Sequence, residues 1–503
     1  MGIDLGTSSL KALIVDTAGN VKAESSQAYQ FDSPYNGYAE QDAEVWWAAC
    51  RDCIREALEK SALPPSELRA LSFSGQMHGL AALDKDRRVI RPVILHCDAR
   101  SDKQVRRIKE VAAEKKLRAS HYNPINTGFL LSSLLWMRDN EPEQYRRIRH
   151  VLLPKDFLKM KLCGEITTDY SDASGTLAFD VAQVRWSGET LDALDIPREF
   201  FPECFAADYP AGRVTREAAL ETGLARGTLV VNGGADQVMQ MVGNGAVRNG
   251  QATVNIGSSG MVCFQSDRAI YNPALSTNIF CAHQKGNWVL MGAMRTAGLA
   301  FKWISGLAPG GDYRKLDGEI AKLPPGSGGL IFLPYLIGER CPHMNSNLSG
   351  AFLGLNLNTG GAHMARSVME GVTFALKQCI EVCSGLGLGA DTLIASGGGA
   401  RSAVWLQMQA DIFNVPLKTT MLEEQASIGA AAAAGSGAGL FKTIGEACNA
   451  LVKYRDTIRT PDPSRQGIYQ EYYGLFKESF IESGKTLERL TELGRQRSPY
   501  QQQ

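Results

Sequence analysis

A short pattern of apolar residues, glycine and hydroxyl side chains occurs twice in the chain, about half a chain length apart. The first copy spans residues 3–14 and turns at Gly6, and the second spans residues 254–262 and turns at Gly257. Two apolar runs joined by a tight Gly/Ser turn predict a β-hairpin. Such a turn has no bulky side chain, so its backbone N–H groups can approach an anion closely. The repeat therefore predicts two similar domains that hold one phosphate-bearing ligand between them.

Asp4 lies at the mouth of the first predicted turn. A carboxylate there repels a bare phosphate, but it can hold Mg²⁺, usually through water, and so connect the phosphate to the protein. An ordinary hairpin with a turn-forming aspartate would explain the first copy equally well. The second copy favours the phosphate site.

Composition limits the classes of function that the chain can have. It has 503 residues, which is enough for two to four domains. Lys+Arg and Asp+Glu are 53 each, so the net charge gives no support for a nucleic-acid binder or for binding to an anionic membrane. No apolar run reaches the roughly 18 residues that cross a bilayer, and the chain does not begin with a signal-peptide pattern.

Cysteine usage predicts a reducing compartment. The 11 cysteines are scattered and odd in number. Cys50 and Cys53 have CxxC spacing, but they lie in a predicted helix, where packing thiols are more common than a metal or redox site. We therefore expect a cytoplasmic enzyme.

Polar residues at strand ends are candidates for a ligand site. Gln76, Met77 and His78 lie between two glycines, after a strand predicted over residues 68–72. His78 alone would fit a structural histidine equally well. Its neighbours make a functional role as probable as a structural one.

Three further segments are candidates for the walls of a pocket. Asp98 follows a strand predicted over residues 93–95, and it can hydrogen-bond a sugar or Arg100, with a weak surface ion pair as the alternative. Residues 169–175 form a predicted loop rich in hydroxyls and carboxylates, and residues 338–343 form one dense in polar groups. Loops of this kind line a polar pocket or simply cap a helix.

A candidate general base follows the buried strand predicted over residues 229–231. Asp236 comes after two glycines and an alanine, at the start of a predicted helix. A carboxylate at the carboxyl end of a strand, beside a cleft, is well placed to take a proton. A helix N-cap is the alternative, and the two roles are compatible.

The second half of the chain carries a triple glycine, residues 397–399, between a predicted strand and a predicted helix. This turn lets the backbone lie flat against a nucleotide, although Gly-rich turns serve many ligands. Residues 426–439 are rich in alanine and glycine and predict a helix packed closely against a neighbour. The tail after Pro461 is predicted to be helical and to fray near Pro499.

Together these segments resemble the FGGY family of carbohydrate kinases over essentially the whole chain, and they are most similar to its xylulose kinase branch. Many motifs in the right order are much more specific than any one of them. Residues 2–8 resemble the family's first phosphate loop, residues 74–79 the sugar-binding stretch and residues 396–401 the adenine-side loop. The C-terminal signature of the family fits residues 350–355 and continues through His363 to residues 367–370, and residues 153–156 and 171–176 are typical of the branch.

The resemblance implies an α/β fold with two actin-like ATPase (ribonuclease H-like) domains and a cleft between them. The expected domains are residues 1–245, with the sugar site and the first phosphate loop, and residues 246–503, with the nucleotide site. ATP, Mg²⁺ and a sugar would bind in the cleft. No nucleic-acid or membrane partner is expected, and a homodimer is the family expectation.

The resemblance also implies roles for single residues. Asp236 would be the catalytic base, Asp4 would help to place Mg²⁺ and the phosphates, and both are the expected catalytic and metal residues. The expected substrate-binding residues are Gln76, Met77, His78, Asp98 and Gln237. The expected nucleotide-binding residues are Gly6, Thr7, Ser8, Gly257, Ser258, Ser259, Gly398, Gly399 and Arg401.

The expected reaction is phosphorylation of D-xylulose to D-xylulose 5-phosphate. Several residues depart from the branch's usual pattern, namely His96-Cys97 for Trp-Asn, Ala235 and Gln237 for Gly and Asn, Ser133 for Lys, and Ile256 and Ser258 for Leu and Thr. Because positions 96, 97 and 237 flank the expected sugar pocket, a kinase for another ketose, polyol or sugar acid (ribulose, gluconate, glycerol) stays open. A non-catalytic actin-like protein that binds ATP or a sugar is a further alternative, against which the retained Asp236 argues.

Overall fold

A computed structural model of the chain describes residues 1–117, 122–307 and 313–496. The C-terminal residues that were expected to fray lie outside these ranges. The strands are β1 Gly2–Leu5, β2 Ser9–Val15, β3 Val21–Ala28, β4 Glu40–Gln41, β5 Ala70–Gly75, β6 Ala81–Leu83, β7 Val93–Ile94, β8 His150–Leu152, β9 Thr167–Asp169, β10 Phe179–Asp180, β11 Arg185–Trp186, β12 Glu203–Phe205, β13 Pro210–Arg213, β14 Leu229–Val231, β15 Gly234–Ala235, β16 Ala252–Ile256, β17 Gly260–Ser266, β18 Asn278–Cys281, β19 Trp288–Met294, β20 Ile331–Leu333, β21 Ala351–Leu353, β22 Leu393–Ser396 and β23 Leu417–Thr419.

The α-helices are α1 Ala43–Ser61, α2 Asp102–Glu114, α3 Leu130–Asn140, α4 Pro142–Arg147, α5 Pro154–Cys163, α6 Tyr170–Ser174, α7 Gly188–Ala193, α8 Arg216–Thr222, α9 Asp236–Gly243, α10 Gly298–Leu307, α11 Tyr313–Ile320, α12 Gly361–Gly385, α13 Ala403–Phe413, α14 Gln425–Gly437, α15 Ile444–Leu451 and α16 Pro463–Gln496. No helix in the described ranges is long and apolar enough to cross a membrane.

Both predicted hairpins are present, and they are equivalent in position. In the first, β1 and β2 are antiparallel with Leu5 opposite Leu10. In the second, β16 and β17 are antiparallel with Ile256 opposite Gly260. The backbone N–H of Gly6 donates to the carbonyl of Ser9 at 2.9 Å, which closes the first turn.

Each hairpin lies in the middle of its own mixed sheet. The first sheet has the order β13-β14-β5-β1-β2-β3, with β15 also paired to β5, and the second has the order β18-β19-β17-β16-β22-β23. In both, the second strand of the hairpin pairs with a further antiparallel strand (β3 or β19), and the first strand pairs with a parallel strand (β5 or β22). The duplicated motif therefore reflects a duplicated sheet topology, as the sequence predicted.

The first sheet is covered on both faces. Ile3 and Leu5 point to a core that they share with α1, whose N-terminus is capped by Asp42 through the backbone N–H of Glu44 at 2.9 Å. Gly2 points the opposite way because side chains alternate along a strand. A Cβ atom at Gly2 would lie 1.9 Å from the carbonyl oxygen of Ser427, so α14 lies directly on the other face.

The alanine-rich helix α14 therefore packs against the first sheet, although it follows the second sheet in sequence. Its Gly429 faces α9, and a Cβ atom there would lie 1.9 Å from the carbonyl oxygen of Met239. Ala432 and Ala433 are buried in a core that also contains Cys263 of the second sheet. The predicted close packing of this segment is confirmed, and it joins the two halves of the chain.

Two local predictions need correction or refinement. Residues 169–175 were predicted as a loop, but Tyr170–Ser174 forms a short helix whose N-terminal N–H groups bind the carboxylate of Asp169. The strand predicted over residues 68–72 lies over Ala70–Gly75. Cys50 and Cys53 are buried thiols on α1, in agreement with a packing role.

Candidate active site

Asp4 and Asp236 lie at the carboxyl ends of strands on the two sides of β5. Asp4 is opposite Ser74 in the parallel pairing of β1 with β5, and Ala235 is opposite Gly75 in the pairing of β15 with β5. The hydroxyl of Ser74 donates to Oδ1 of Asp4 at 2.7 Å. Parallel strands end at the same edge of a sheet, so the register brings both carboxylates to one place.

The two carboxylates affect each other electrostatically. Burial raises the pKa of Asp4, and the hydrogen bond from Ser74 lowers it. Burial and then the negative charge of Asp4 raise the pKa of Asp236 to about 7. A carboxylate with a pKa near neutrality is a competent general base at physiological pH.

Asp236 is the first residue of α9 and not its N-cap, which is Ala235. Its Oδ1 accepts the backbone N–H of Gln237 at 2.7 Å. The side-chain Oε1 of Gln237 is buried and has no hydrogen-bond partner in the described parts of the chain. A buried amide oxygen without a partner is costly, and a hydroxyl group of a sugar would satisfy it.

Gln76 is hydrogen-bonded to the first predicted phosphate loop. Its side chain is buried, its Oε1 accepts the hydroxyl of Thr7 at 3.3 Å, and its Nε2 donates to Oε1 of Gln41 at 3.3 Å. Gln41 in turn donates to the carbonyl of Thr7 at 2.9 Å. Tyr29 donates its hydroxyl to the carbonyl of Gly6 at 2.6 Å and its backbone N–H to the carbonyl of Ser8 at 3.0 Å.

One ring nitrogen of His78, Nδ1, is held by a backbone contact, and the other, Nε2, lies on the opposite side of the ring. Nδ1 lies 2.6 Å from the carbonyl oxygen of Gly175, which can only accept a hydrogen bond, so Nδ1 carries the proton. Burial lowers the pKa of His78 to about 3, and Nε2 is therefore an acceptor. The residue has a φ of 71°, a strained value of the kind found at functional sites. Met77 beside it is buried in the core where the two halves meet.

Asp98 and Arg100 bind each other, but the pair is buried and not on the surface. Nη2 of Arg100 lies 2.7 Å from Oδ2 of Asp98, and each side chain is 1% exposed. Oδ2 of Asp98 also accepts the backbone N–H of Ala39 at 2.7 Å. The guanidinium lies 3.7 Å from the ring centroid of Tyr38. Both oxygens of the Asp98 carboxylate are thus hydrogen-bonded to other groups of the protein. Its contact with a sugar stays a prediction.

The strand that leads into the second predicted phosphate loop contacts the glycine turn of the second sheet. Gly257, Ser258 and Ser259 connect β16 to β17, and the side chain of Ile256 touches the turn so closely that a Cβ atom at Gly399 would lie 2.6 Å from its Cβ. Gly398 begins a short 3₁₀-helix. The structure thus brings the two predicted nucleotide segments of the second half together.

Arg401 lies at the rim of this region. It is exposed and forms an ion pair with Glu423. Both side chains line a pocket of about 390 Å³ at the carboxyl ends of β22 and β23. An exposed ion pair contributes little to stability, so Arg401 is free to exchange Glu423 for an anionic ligand.

A buried charged cluster behind the site was not foreseen. Nζ of Lys155 lies 2.7 Å from Asp156, 2.9 Å from Asp169 and 3.3 Å from Asp172. Ser171 lies on α6, the short helix that also carries Asp172, and its hydroxyl accepts the backbone N–H of Ala235 at 2.9 Å. The cluster therefore supports the strand that ends at Asp236. The sequence shows its acidic and hydroxyl-rich segments but not their contact with Lys155.

The two carboxylates also suit a divalent cation. Oxygen ligands are what Mg²⁺ prefers, and it commonly uses one or two carboxylates plus water and phosphate oxygens. A cation beside Asp4 and Asp236 would offset the repulsion that raises the pKa of Asp236. The described residues contain no group of three or more His, Cys, Asp or Glu side chains arranged to hold a metal alone, and water or phosphate oxygens would supply the remaining ligands of a cation here.

Comparison with known proteins identifies the family. The N-terminal domain of the FGGY family of carbohydrate kinases matches residues 1–243, and its C-terminal domain matches residues 252–438. Xylulose kinase from Lactococcus lactis subsp. lactis is 34% identical over 495 residues, which cover 98% of each chain.

Solved structures are similar over nearly the whole chain. Xylulose kinase from Rhodospirillum rubrum has a TM-score of 0.89 and 27% identity, with 97% of this chain and 99% of that chain covered. Gluconate kinase from Lactobacillus acidophilus has a TM-score of 0.91 and 25% identity, with the same coverage. With both family domains present in order and a two-sheet fold shared with solved sugar kinases, this chain belongs to the FGGY family of carbohydrate kinases.

Proposed function

We propose that this sugar kinase transfers the γ-phosphoryl group of ATP to the 5-hydroxyl of D-xylulose and so forms D-xylulose 5-phosphate and ADP. The observation that carries the choice of sugar is the 34% identity to a xylulose kinase over 98% of both chains. The fold alone does not choose the sugar, because a gluconate kinase is equally similar in structure.

Asp236 is the general base of the proposed reaction. Its carboxylate takes the proton of the attacking hydroxyl as the new O–P bond forms and the bond between the γ-phosphorus and the ADP oxygen breaks. ADP leaves with the electron pair of that bond. Phosphoryl transfer needs little covalent chemistry from the protein, so positioning and charge stabilisation account for most of the catalysis.

Asp4 and Asp236 are the residues that would hold Mg²⁺. When bound, the ion would offset the negative charge that gathers on the phosphates. Ser74 keeps Asp4 in place through its 2.7 Å hydrogen bond. The first phosphate loop (Gly6, Thr7, Ser8) and the second (Gly257, Ser258, Ser259) would bind the phosphates from opposite sides through backbone N–H groups. Gly398, Gly399 and Arg401 would lie along the nucleotide.

Sugar recognition would use the neutral side chains near the base. Nε2 of His78 and Oε1 of Gln237 are both hydrogen-bond acceptors, so both suit the hydroxyl groups of a sugar as donors. Met77 would pack against the carbon skeleton, and Gln76 would act by holding Thr7. This division assigns recognition to groups without charge, which suits an uncharged ketose.

The remaining proposals concern organisation and location. The expected domain boundary after residue 245 is supported by the gap between the family matches at residues 243 and 252. A reducing, cytoplasmic location is supported by the eleven cysteines, none of which is in a disulfide. A homodimer stays a prediction.

Coupled ADP release with MgATP against ketoses, polyols and sugar acids tests the function. We expect D-xylulose to give the highest kcat/KM, and we expect Asp236→Asn to lose most of the rate while it keeps its affinity for ATP. Asp86→Asn, at an exposed site, controls for loss of a carboxylate. Turnover of gluconate or ribulose in preference to xylulose contradicts the proposed sugar, and an active Asp236→Asn variant contradicts the base.

A further inference from the structure

The guanidinium groups of two arginines of the second half, Arg295 and Arg340, have no hydrogen-bond or salt-bridge partner among the described residues. Nε of Arg295 is buried and makes no hydrogen bond in the described ranges. Arg340 is exposed, and neither guanidinium forms a hydrogen bond or a salt bridge with any residue that the structure describes. Guanidinium groups strongly prefer bidentate contacts with carboxylates or phosphates. Two guanidinium groups without such a contact among the described residues are therefore a candidate site for an anion.

A single buried carboxylate fixes the backbone of both arginines. Oε1 of Glu339 accepts the backbone N–H of Arg295 at 2.9 Å and that of Arg340 at 2.6 Å. Glu339 is 2% exposed. Its Oε2 is buried and has no hydrogen-bond partner among the described residues. One side chain thus sets the relative positions of two cationic residues that are far apart in sequence.

The segment that carries Arg295 is attached to the second predicted phosphate loop, and the segment that carries Arg340 is attached to that of Arg295. Two residues after Arg295, the backbone N–H of Ala297 donates to the carbonyl of Ser258 at 2.9 Å. One residue after Arg340, the backbone N–H of Cys341 donates to the carbonyl of Ala293 at 3.0 Å. The chain segments of the two arginines are therefore attached to each other and to the phosphate loop.

Arg340 also faces the first half of the chain. Its positive charge contributes to lowering the pKa of both His78 and His96, after the larger effect of burial. Both histidines lie at the proposed sugar pocket. The acidic and basic groups that act on Arg340 are Arg295 and Glu339, so one carboxylate faces two guanidinium groups and the local charge is positive.

We propose that Arg340, with Arg295 beside it, binds the phosphoryl group while it passes from ATP to the sugar, and that Glu339 is the positioning residue for both. The inference rests on the proposed function, because it needs phosphoryl transfer at Asp236. The anionic ligand is the trigonal phosphoryl group in transit and then the phosphate of the sugar monoester. The uncharged sugar gives the arginines no ionic partner before transfer.

Arg340→Ala, Arg340→Lys and Glu339→Gln test the proposal, with Arg226→Ala as the control for loss of an exposed arginine. The first probe is orthovanadate in the presence of MgADP and without any sugar, because it mimics the transferring group whichever sugar the enzyme uses. For Arg340→Ala we expect the Kd of vanadate to rise at least tenfold while the Kd of MgADP is unchanged.

The second probe separates sugar binding from phosphate binding. In Arg340→Ala we expect the Kd of D-xylulose to stay within about twofold and that of D-xylulose 5-phosphate to rise at least tenfold. We expect kcat to fall by about 10² to 10³, as for the loss of one transition-state donor. Guanidinium ions added to the solution should restore part of the kcat of Arg340→Ala. Arg340→Lys should keep the positive charge but lose the two-point contact that a guanidinium group makes with phosphoryl oxygens.

Each outcome bears on one of the two proposals. Unchanged vanadate affinity in Arg340→Ala, or an equal loss of affinity for vanadate, MgADP and sugar, overturns the role of Arg340. A Glu339→Gln variant with normal vanadate affinity overturns the positioning role of Glu339. A wild-type enzyme that prefers another sugar overturns the proposed substrate, and the vanadate comparison still decides the role of Arg340.

Discussion

The hydroxyl of Thr7 donates a 3.3 Å hydrogen bond to Oε1 of Gln76 and so connects the first phosphate loop to the segment that carries Met77 and His78. Gln41 completes the contact from the other side by donating to the carbonyl of Thr7 at 2.9 Å. A residue predicted for the sugar site thus supports the loop that is predicted to bind phosphate. The two sites share one set of hydrogen bonds, and binding at one is expected to affect the other.

Removing either partner of this bond should weaken ATP binding more than sugar binding. A neutral hydrogen bond is worth about 0.5–1.5 kcal/mol, so we expect Thr7→Val and Gln76→Leu each to raise the KM of ATP about twofold to tenfold. Because both variants remove the same bond, the double variant should show less than the product of the two effects. Initial-rate kinetics measure this, and multiplicative effects would show that the bond does not couple the sites.

Asp236 should reduce the stability of the free enzyme above neutral pH. Burial and the charge of Asp4 raise its pKa to about 7 in the folded chain, against about 4 for an unfolded chain. The unfolded chain therefore releases this proton at lower pH than the folded chain does. The free energy of unfolding decreases as the pH rises from about 4 to about 7 and stays reduced above that range.

Asp236→Asn should remove that penalty. In buffer without Mg²⁺ or nucleotide, we expect the variant to melt at a higher temperature than the wild type at pH 8, with a smaller gain at pH 5. Differential scanning fluorimetry measures both, and Asp86→Asn is the exposed control. A gain of the same size at the two pH values would mean that the ionised carboxylate is not the cause.

Gly175 should be needed for the position of His78. A Cβ atom at Gly175 would lie 3.0 Å from Nδ1 of His78 and 3.2 Å from Cε of Met77, so both side chains must shift. We expect Gly175→Ala to raise the KM of the sugar about threefold to tenfold, because small errors of position cost rate and affinity, and to leave the KM of ATP unchanged. Gly361→Ala, with open space at its Cβ, is the control. An unchanged sugar KM would count against a role for His78.

The contact of α14 with α9 should tolerate no side chain at Gly429. A Cβ atom would lie 1.9 Å from the carbonyl oxygen of Met239, and backbone cannot move away without separating the helices. We expect Gly429→Ala to lose about 3 kcal/mol or more of unfolding free energy. Gly306→Ala, also in a helix but with nothing near its Cβ, should gain about 0.5–1 kcal/mol. Urea denaturation compares them, and equal stabilities would contradict the close contact.

Local features of the fold could be predicted from the sequence, and long-range contacts could not. The hairpins follow from the alternation around Gly6 and Gly257, and helix α1 follows from its Asp42 cap. The small residues of α14 indicate close packing but do not say against which element. Gly2, whose missing side chain makes room for that helix, lies more than 400 residues earlier.

The same limit applies to the site. The carboxylates of Asp4 and Asp236 could be found because Asp4 lies at the end of a strand that leads into a glycine turn and Asp236 follows a strand and two glycines. The buried state of Asp98 depends on Ala39, which approaches only in the folded chain. Arg340 lies in the polar segment 338–343 that the sequence marks as a candidate pocket wall, but nothing in the sequence connects it to Arg295, and only the carboxylate of Glu339 shows that the two belong together.

The position of α14 has a consequence for synthesis on the ribosome. The strands of the first sheet are complete at residue 235, but the helix that covers one of its faces ends at residue 437. At about 5–20 residues per second, roughly 10 to 40 s pass between the two. During that time the nascent chain exposes the face that α14 later covers, including the apolar side chains of Leu13 and Val231, so its production in the cell is expected to depend on chaperones that shield this face until the later helix arrives.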